Sequence, residues 1–156
     1  MHPGLGAFGQ QSLWVDDRAD SARFQAMKSC IAGIEPMAQS DTGYQVRGGF
    51  LAGLQQQLPQ ADWYCVTQEF GTLAPLKVLK ALRDENLYHH HQARGGDLAH
   101  PVKRNLMQTF SPASKAWRDK IVGHGEWLFQ QARQLAFHGD PSVVDQSCAS
   151  VPSPSG

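Results

Sequence analysis

The stretch VTQEFGT, residues 66–72, places one acidic residue inside an apolar, strand-forming run. Val66 and Phe70 are apolar and Gly71 is able to end the run, so we expect Glu69 at or near the end of a buried strand. A buried carboxylate is costly unless it is paired, protonated or used in chemistry. Glu69 is therefore either a strand-end carboxylate that pairs with an arginine or caps the next helix, or a general base.

Three other residues could contact a ligand near such a base. His2 lies in the segment HPGLGAFG, whose glycines allow sharp turns and a close approach of the backbone to a ligand. Tyr44 and Arg47 lie in a glycine-containing loop, where Arg could hold a carboxylate with two hydrogen bonds and Tyr could donate one. The alternative is that Tyr44 and Arg47 are ordinary surface-loop residues.

The consecutive histidines His89, His90 and His91 are the most conspicuous candidate metal ligands. Adjacent residues on a helix point about 100° apart, so these three imidazoles cannot converge on one ion. At a helix C-terminus they would interact favourably with the helix dipole. The pattern favours a structural or capping role, and metal binding by the triplet stays an alternative.

Hydrophobic spacing and turn residues predict the elements that carry these side chains. We expect strands within 10–17 and 61–72, and helices over 21–34, 49–59 and 74–91, after Pro101, and from 111–114 to 137. This succession predicts an α/β fold.

The helices are expected to bury apolar faces formed by Phe24, Met27, Ile31 and Ile34; by Phe50, Leu51, Leu54 and Leu58; and by Leu76, Leu79, Leu82 and Leu87. Residues 1–138 are expected to form a domain and residues 139–156, rich in Pro, Ser and Gly, a disordered tail.

Composition excludes some classes of function. Lys plus Arg and Asp plus Glu both number 14 in the 156 residues, which argues against nucleic-acid or membrane-surface binding driven by bulk charge. No apolar run approaches the roughly 20 residues that cross a bilayer, and the N-terminus has no signal-peptide pattern. The widely spaced Cys30, Cys65 and Cys148 are expected to be free thiols in a reducing, cytoplasmic compartment.

Several of these segments resemble, in order, the DUF2817 family of zinc-carboxypeptidase-like proteins. HPGLGAFG is similar to the family's D-x-H-T-G-L-G-P-x-G stretch, and TQEFGTLAPLKVLKALRDENLYHHH is similar to its E-F-G-T segment with the following helix and histidine-rich ending. FSPASKAWRDKIVGHGEWLFQQA looks like its last helix, so the resemblance covers about residues 2–137. It implies a metallocarboxypeptidase-like mixed sheet flanked by helices.

The resemblance also implies zinc-dependent hydrolysis of an amide or peptide bond. In that family zinc is held by a His and a Glu of an HxxE motif and by a later His, which His2 matches, while Glu69 matches the general base. Tyr44 is a candidate for the family's substrate-side tyrosine. The implied substrate is a small peptide or an N-acyl amino acid, the latter in the case of a deacylase on the same fold.

The sequence departs from that pattern at the metal site. No HxxE occurs in the 156 residues, His2 directly follows Met1, and Pro3 stands where the family has Thr. We therefore expect the chain to correspond to the C-terminal portion of the family's domain, to bind zinc poorly and to be inactive alone. A non-catalytic, partner-binding module with an exposed apolar surface is the competing hypothesis.

Overall fold

The computed structural model describes residues 2–4, 6–37, 50–91 and 97–137. These contain four strands and five helices, in chain order β1 (His2–Gly4), β2 (Gln11–Val15), α1 (Ala22–Cys30), β3 (Ile34–Pro36), α2 (Phe50–Gln57), β4 (Thr67–Gly71), α3 (Pro75–His91), α4 (Pro101–Phe110) and α5 (Lys115–Phe137). Helices and strands thus combine as the sequence predicts, and the α/β class is confirmed. No helix in the described ranges is long and apolar enough to cross a membrane.

The chain divides into two compact units. Among the described residues, the first unit comprises those up to Gln11 together with Glu69–Gly125, and the second comprises Ser12–Gln68 together with those from Glu126 onward. Each unit contains a parallel strand pair. In the first, β1 pairs with β4, and in the second, β2 pairs with β3.

The second unit is built on a strand–helix–strand crossover. Parallel strands need such a connection, and α1 provides it between β2 and β3, which pair Leu13 with Ile34 and Val15 with Pro36. Ser21 caps α1 by accepting a hydrogen bond from the Phe24 N–H, as its residue type predicts. The core of this unit consists of Leu13, Val15, Phe24, Met27, Cys30, Ile31, Ile34, Trp127 and Leu135.

Helix α1 ends earlier than the predicted range 21–34. Its last residue is Cys30, and Gly33 adopts a positive φ of 78°, a conformation that glycine takes without strain. The turn allows Ile34 to start β3 instead of continuing the helix. Ile31 and Ile34 are buried, as predicted from their spacing, but neither lies in the helix.

Helices α3 and α4 pack together in the first unit. Lys103 of α4 forms a salt bridge with Glu85 of α3, and this bond holds the pKa of the Glu85 carboxyl below its ordinary value. The rings of Tyr88 and His100 stack with centroids 3.9 Å apart. His100 also caps α4, because its Nδ1 accepts a hydrogen bond from the Val102 N–H at 3.3 Å.

The prediction of which face of α3 is buried is wrong. Leu76, Leu79, Leu82 and Leu87 are all exposed, whereas Val78, Ala81 and Tyr88 are buried. Both sets follow helical spacing on different sides of α3, so periodicity alone does not identify the buried side. In α2, Phe50 and Leu51 are exposed as well, contrary to the predicted buried face.

The strand predicted over 61–72 is shorter than expected. Only Thr67–Gly71 forms a strand, while residues 62–66 are irregular. In that irregular part the Trp63 carbonyl accepts a hydrogen bond from the Arg23 side chain, at 3.3 Å, and the Trp63 indole N–H donates to the Leu58 carbonyl, at 3.0 Å. Strands β1 and β3 are not predicted, because three residues are too few to show strand periodicity.

Candidate active site at the Glu69 strand

Glu69 lies in β4, two residues before the end of the strand. Its side chain is partly buried, and both of its neighbours along the chain, Gln68 and Phe70, are buried. Successive side chains of a strand point to opposite faces. The carboxylate of Glu69 therefore lies on the face of β4 opposite the fully buried Phe70 ring.

The pairing of β1 with β4 places His2 next to Glu69. In the parallel register His2 is the partner of Glu69, Pro3 of Phe70 and Gly4 of Gly71. Neighbouring strands lie about 4.8 Å apart, so the backbones of His2 and Glu69 are immediate neighbours. Two residues that are 67 positions apart in the sequence and were singled out for separate chemical reasons are thus brought together by the fold.

The end of β4 is held by hydrogen bonds that converge on Gly71. Its carbonyl accepts bonds from the Gly9 N–H and from the Trp117 indole N–H, both at 2.9 Å, and its N–H donates to the Gln10 carbonyl at 2.8 Å. The next residue, Thr72, donates from its hydroxyl to the Gly4 carbonyl at 3.0 Å. These bonds fasten the glycine-rich N-terminal segment and α5 to the strand that carries Glu69.

Only glycine fits at position 71. A Cβ there would lie 1.9 Å from the Ala7 carbonyl oxygen and 2.5 Å from the Gly6 carbonyl carbon. Residues 6–9 can therefore lie directly on the backbone of β4. Gly9, with a φ of 73°, supplies the turn that returns its N–H towards Gly71.

His124 is a member of this region that the sequence analysis missed. It is buried in α5, and its ring centroid lies 6.1 Å from that of Phe70 with the planes tilted by 38°. Burial, with a smaller contribution from the Lys120 charge, lowers the pKa of His124 below its ordinary value and favours the neutral imidazole. The signal was present, because His124 continues the apolar stripe of Trp117, Ile121 and Leu128.

The other predicted site residues are not brought into this region. Tyr44 and Arg47 lie outside the described residues. His89, His90 and His91 form the exposed last turn of α3, where the rings of His89 and His90 meet edge to face at 5.1 Å. Within the described parts of the chain, no group of three or more His, Cys, Asp and Glu side chains is arranged to hold a metal ion.

Comparison with known families assigns the chain to a group. Residues 1–124 match the family described as a protein of unknown function, DUF2817. Because the match covers most of the sequence, the chain belongs to this family. The matched range includes the N-terminal glycine-rich segment, β4 with Glu69, the histidine triplet and, at its last residue, His124. Searches of curated proteins and of solved structures returned no match.

Substitution of Gly71 tests the junction at the end of β4. Gly71→Ala is expected to lower the free energy of unfolding by about 3 kcal/mol, because the new Cβ collides with backbone atoms that cannot move without breaking the junction. Urea unfolding followed by circular dichroism measures the change. The matched control is Gly123→Ala in α5, where nothing lies within 4 Å of the added Cβ. That change should stabilise by about 0.5–1 kcal/mol. Equal changes in the free energy of unfolding at the two positions would show that the close backbone contact at Gly71 does not stabilise the fold.

The buried His124 predicts a pH dependence of stability. A histidine whose pKa is lowered on folding binds fewer protons in the folded state than in the unfolded state, so stability is lost as the pH falls from about 7 towards 5. His124→Gln should flatten this decline in urea unfolding curves. Lys120→Gln should flatten it slightly, because Lys120 also lowers the pKa, and Arg118→Gln on the same helix should not change it. An unchanged slope in His124→Gln would refute this role.

Proposed function

We propose that this chain carries part of a hydrolytic site for amide or peptide bonds, of the zinc-carboxypeptidase-like kind, with Glu69 as the general base. The observation that supports this proposal is the strand register, in which His2 is the direct partner of Glu69. A metal ligand and the base that serves the metal must lie within a few ångströms of one another. Two adjacent strands satisfy this requirement more rigidly than two loops do.

Glu69 has surroundings that suit proton transfer. The Glu69 side chain is partly buried. The backbone of Glu69 is fixed by the pairing with β1 and by the hydrogen bonds at Gly71, two residues further along the strand. In amide hydrolysis a carboxylate in such a position takes a proton from the attacking water and delivers it to the leaving amine. Its fixed location limits the reorganisation that the reaction requires.

The described residues do not complete a zinc site. A catalytic zinc takes three protein ligands and an open position, and when bound it lowers the pKa of water and polarises the scissile carbonyl. His2 would be one ligand, and no trio of suitable side chains converges among the residues that the structure describes. We infer that the 156-residue chain alone binds zinc weakly and does not turn over substrate, although the function that we propose for the family is hydrolytic.

The substrate class follows from the reaction. A small peptide and an N-acyl amino acid both present the amide bond that this chemistry cleaves, and the deacylase reading is the alternative within the same class. Tyr44 and Arg47 remain the proposed substrate contacts, since Arg is suited to bind the free carboxylate of either substrate.

A second candidate function is that of a partner-binding module. The exposed fractions of Leu76, Leu79 and Leu87 on α3 are 79%, 61% and 46%. Three exposed leucines on one helix are typical of a surface that associates with another protein. This function would not require a metal.

The thiols support a proposed cytoplasmic location. Among the described cysteines, Cys30 is buried and Cys65 is partly buried. Burial raises the pKa of the Cys65 thiol, which keeps it uncharged and slow to oxidise. Buried cysteine thiols of this kind are usual in a reducing compartment.

Hydrolysis assays test the first proposal in two steps. The 156-residue chain supplied with zinc should show no turnover of N-acyl amino acids or of small peptides with a free C-terminus. Zinc-dependent turnover would contradict the inference that the zinc site of this chain is incomplete. In a family member that contains an HxxE motif, replacing the glutamate that corresponds to Glu69 by glutamine should lower kcat by at least about a hundred-fold, because the base is lost while the shape is kept. Unchanged kcat in that variant would rule out Glu69 as the base.

Leucine replacements test the second candidate. The double variant Leu76→Gln, Leu79→Gln should keep the stability of the parent within about 0.5 kcal/mol, because both side chains are exposed, and should reduce binding of a hydrophobic dye and concentration-dependent association. Leu98→Gln, at an equally exposed leucine outside α3, is the matched control. A loss of stability of about 2 kcal/mol or more would show that the leucines are packed, and would exclude a free α3 surface.

A further inference from the structure

Helix α4 is capped by a histidine, whose ability to cap depends on its protonation. The Nδ1 atom of His100 accepts a hydrogen bond from the Val102 N–H at 3.3 Å. Pro101, which lies between them, has no N–H, so the Val102 N–H is the first donor of the helix that needs a partner. The usual N-cap residues, Ser, Thr, Asp and Asn, accept this bond through an oxygen. An imidazole nitrogen accepts it only while it carries no proton.

Both the ring and the backbone of His100 are held in place. The ring stacks on that of Tyr88, a buried residue of α3, with the centroids 3.9 Å apart and the planes 10° from parallel. The His100 N–H donates to the Asp97 carbonyl at 3.3 Å, and the Asp97 carboxylate closes the same turn by accepting from the Ala99 N–H at 2.8 Å. A ring turned over within the stack would present a carbon in place of Nδ1. Unprotonated Nδ1 is therefore the acceptor on which the cap depends.

The charges around His100 do not favour a proton on its ring. The charged and titratable groups on α3 within about one turn of Tyr88, at the start of α4 and in the preceding turn are Asp84, Glu85, His89, His90, His91, Lys103, Arg104 and Asp97. The carboxylates on α3 are compensated, because Glu85 pairs with Lys103 and Asp84 with Lys80. The N-terminus of a helix carries a partial positive charge, which disfavours a cation at the cap.

We propose that His100 is a pH-sensitive switch that keeps the start of α4 helical while its ring is neutral and lets that start fray when the ring is protonated. Protonation places a hydrogen on Nδ1, which then faces the Val102 N–H as one donor faces another. A charged imidazole still stacks favourably on the Tyr88 ring, so the ring stays and the helix start moves. The change falls between about pH 7 and pH 5, where histidine gains its charge.

The change is confined to the start of α4 by two contacts further along the helix. Lys103 keeps its salt bridge with Glu85, because that bond holds the pKa of the Glu85 carboxyl below its ordinary value and the carboxylate stays ionised. At the other end of α4, the Phe110 ring lies against Gly4 of β1, where an added Cβ would be 3.1 Å from the ring atom Cε1. Pro101 and Val102 precede both contacts, so they are the residues that fray.

Nuclear magnetic resonance of the full 156-residue chain between about pH 8 and about pH 5 tests this proposal. The ¹⁵N shifts of the His100 ring should show a proton on Nε2 and none on Nδ1 at the upper end of the range. As the ring is protonated, the hydrogen-exchange protection factor of the Val102 amide should fall about three- to thirty-fold, the effect of losing an N-cap. The ring and the Val102 amide should change with the same midpoint. A Val102 amide that does not respond, or one with a different midpoint, would overturn the switch.

Three variants separate the switch from other histidines. His100→Asn provides a capping oxygen that does not titrate, so Val102 should stay protected over the whole range. His90→Asn, at an exposed histidine of α3, is the matched control and should leave the Val102 transition unchanged. His124→Gln should also leave it unchanged, because the pH dependence assigned to His124 concerns global stability.

Circular dichroism checks that each variant is folded. If His100→Asn does not fold, the agreement of the two midpoints in the parent chain decides the outcome. A Val102 transition that persists in folded His100→Asn, or one that disappears in His90→Asn or in folded His124→Gln, would overturn the assignment to His100.

Discussion

The first unit depends on the close contact between the N-terminal segment and the backbone of Gly71. That contact exists because residue 71 has no side chain, and an added Cβ would lie 1.9 Å from the Ala7 carbonyl oxygen. Three hydrogen bonds then converge on this one residue: its carbonyl accepts from Gly9 and Trp117, and its N–H donates to Gln10. Directly before this contact along the chain, β1 pairs with β4 in the register that places His2 beside Glu69.

The two faces of β4 have different roles. Phe70 is completely buried and lies near His124. The lowered pKa of His124 favours its neutral form, which costs less to bury than a charged group. Glu69, one residue earlier, points to the other face because side chains alternate along a strand. The apolar face anchors the strand, and the opposite face presents a carboxylate at a location that the anchoring defines. Stability and candidate chemistry are thereby separated although the residues are adjacent in the sequence.

The parts of this arrangement that depend on local pattern were predictable from the sequence. Glu69 at a strand end and the Ser21 cap of α1 follow from residue type and immediate context. The pairing of His2 with Glu69 does not, because a three-residue strand has no periodicity and its partner is distant in the chain. The buried side of α3 also could not be predicted, since leucines outline one side and Val78, Ala81 and Tyr88 another. The resemblance to DUF2817 proteins connected His2 with Glu69 where spacing could not.

The strand pair that carries Glu69 is held by hydrogen bonds between protein groups. The carbonyls of Gly4, Gln10 and Gly71 and the donors opposite them are mutually satisfied, and Thr72 and Trp117 are buried where water does not compete for these bonds. A metal site that folds only around its ion lacks such a frame, because its ligands are ordered by the metal itself. Here the strand pair is ordered by hydrogen bonding and by the close contact at Gly71. A zinc ion of the proposed site would therefore join a strand pair that these hydrogen bonds hold, and the same bonds position the backbone of Glu69, the proposed base.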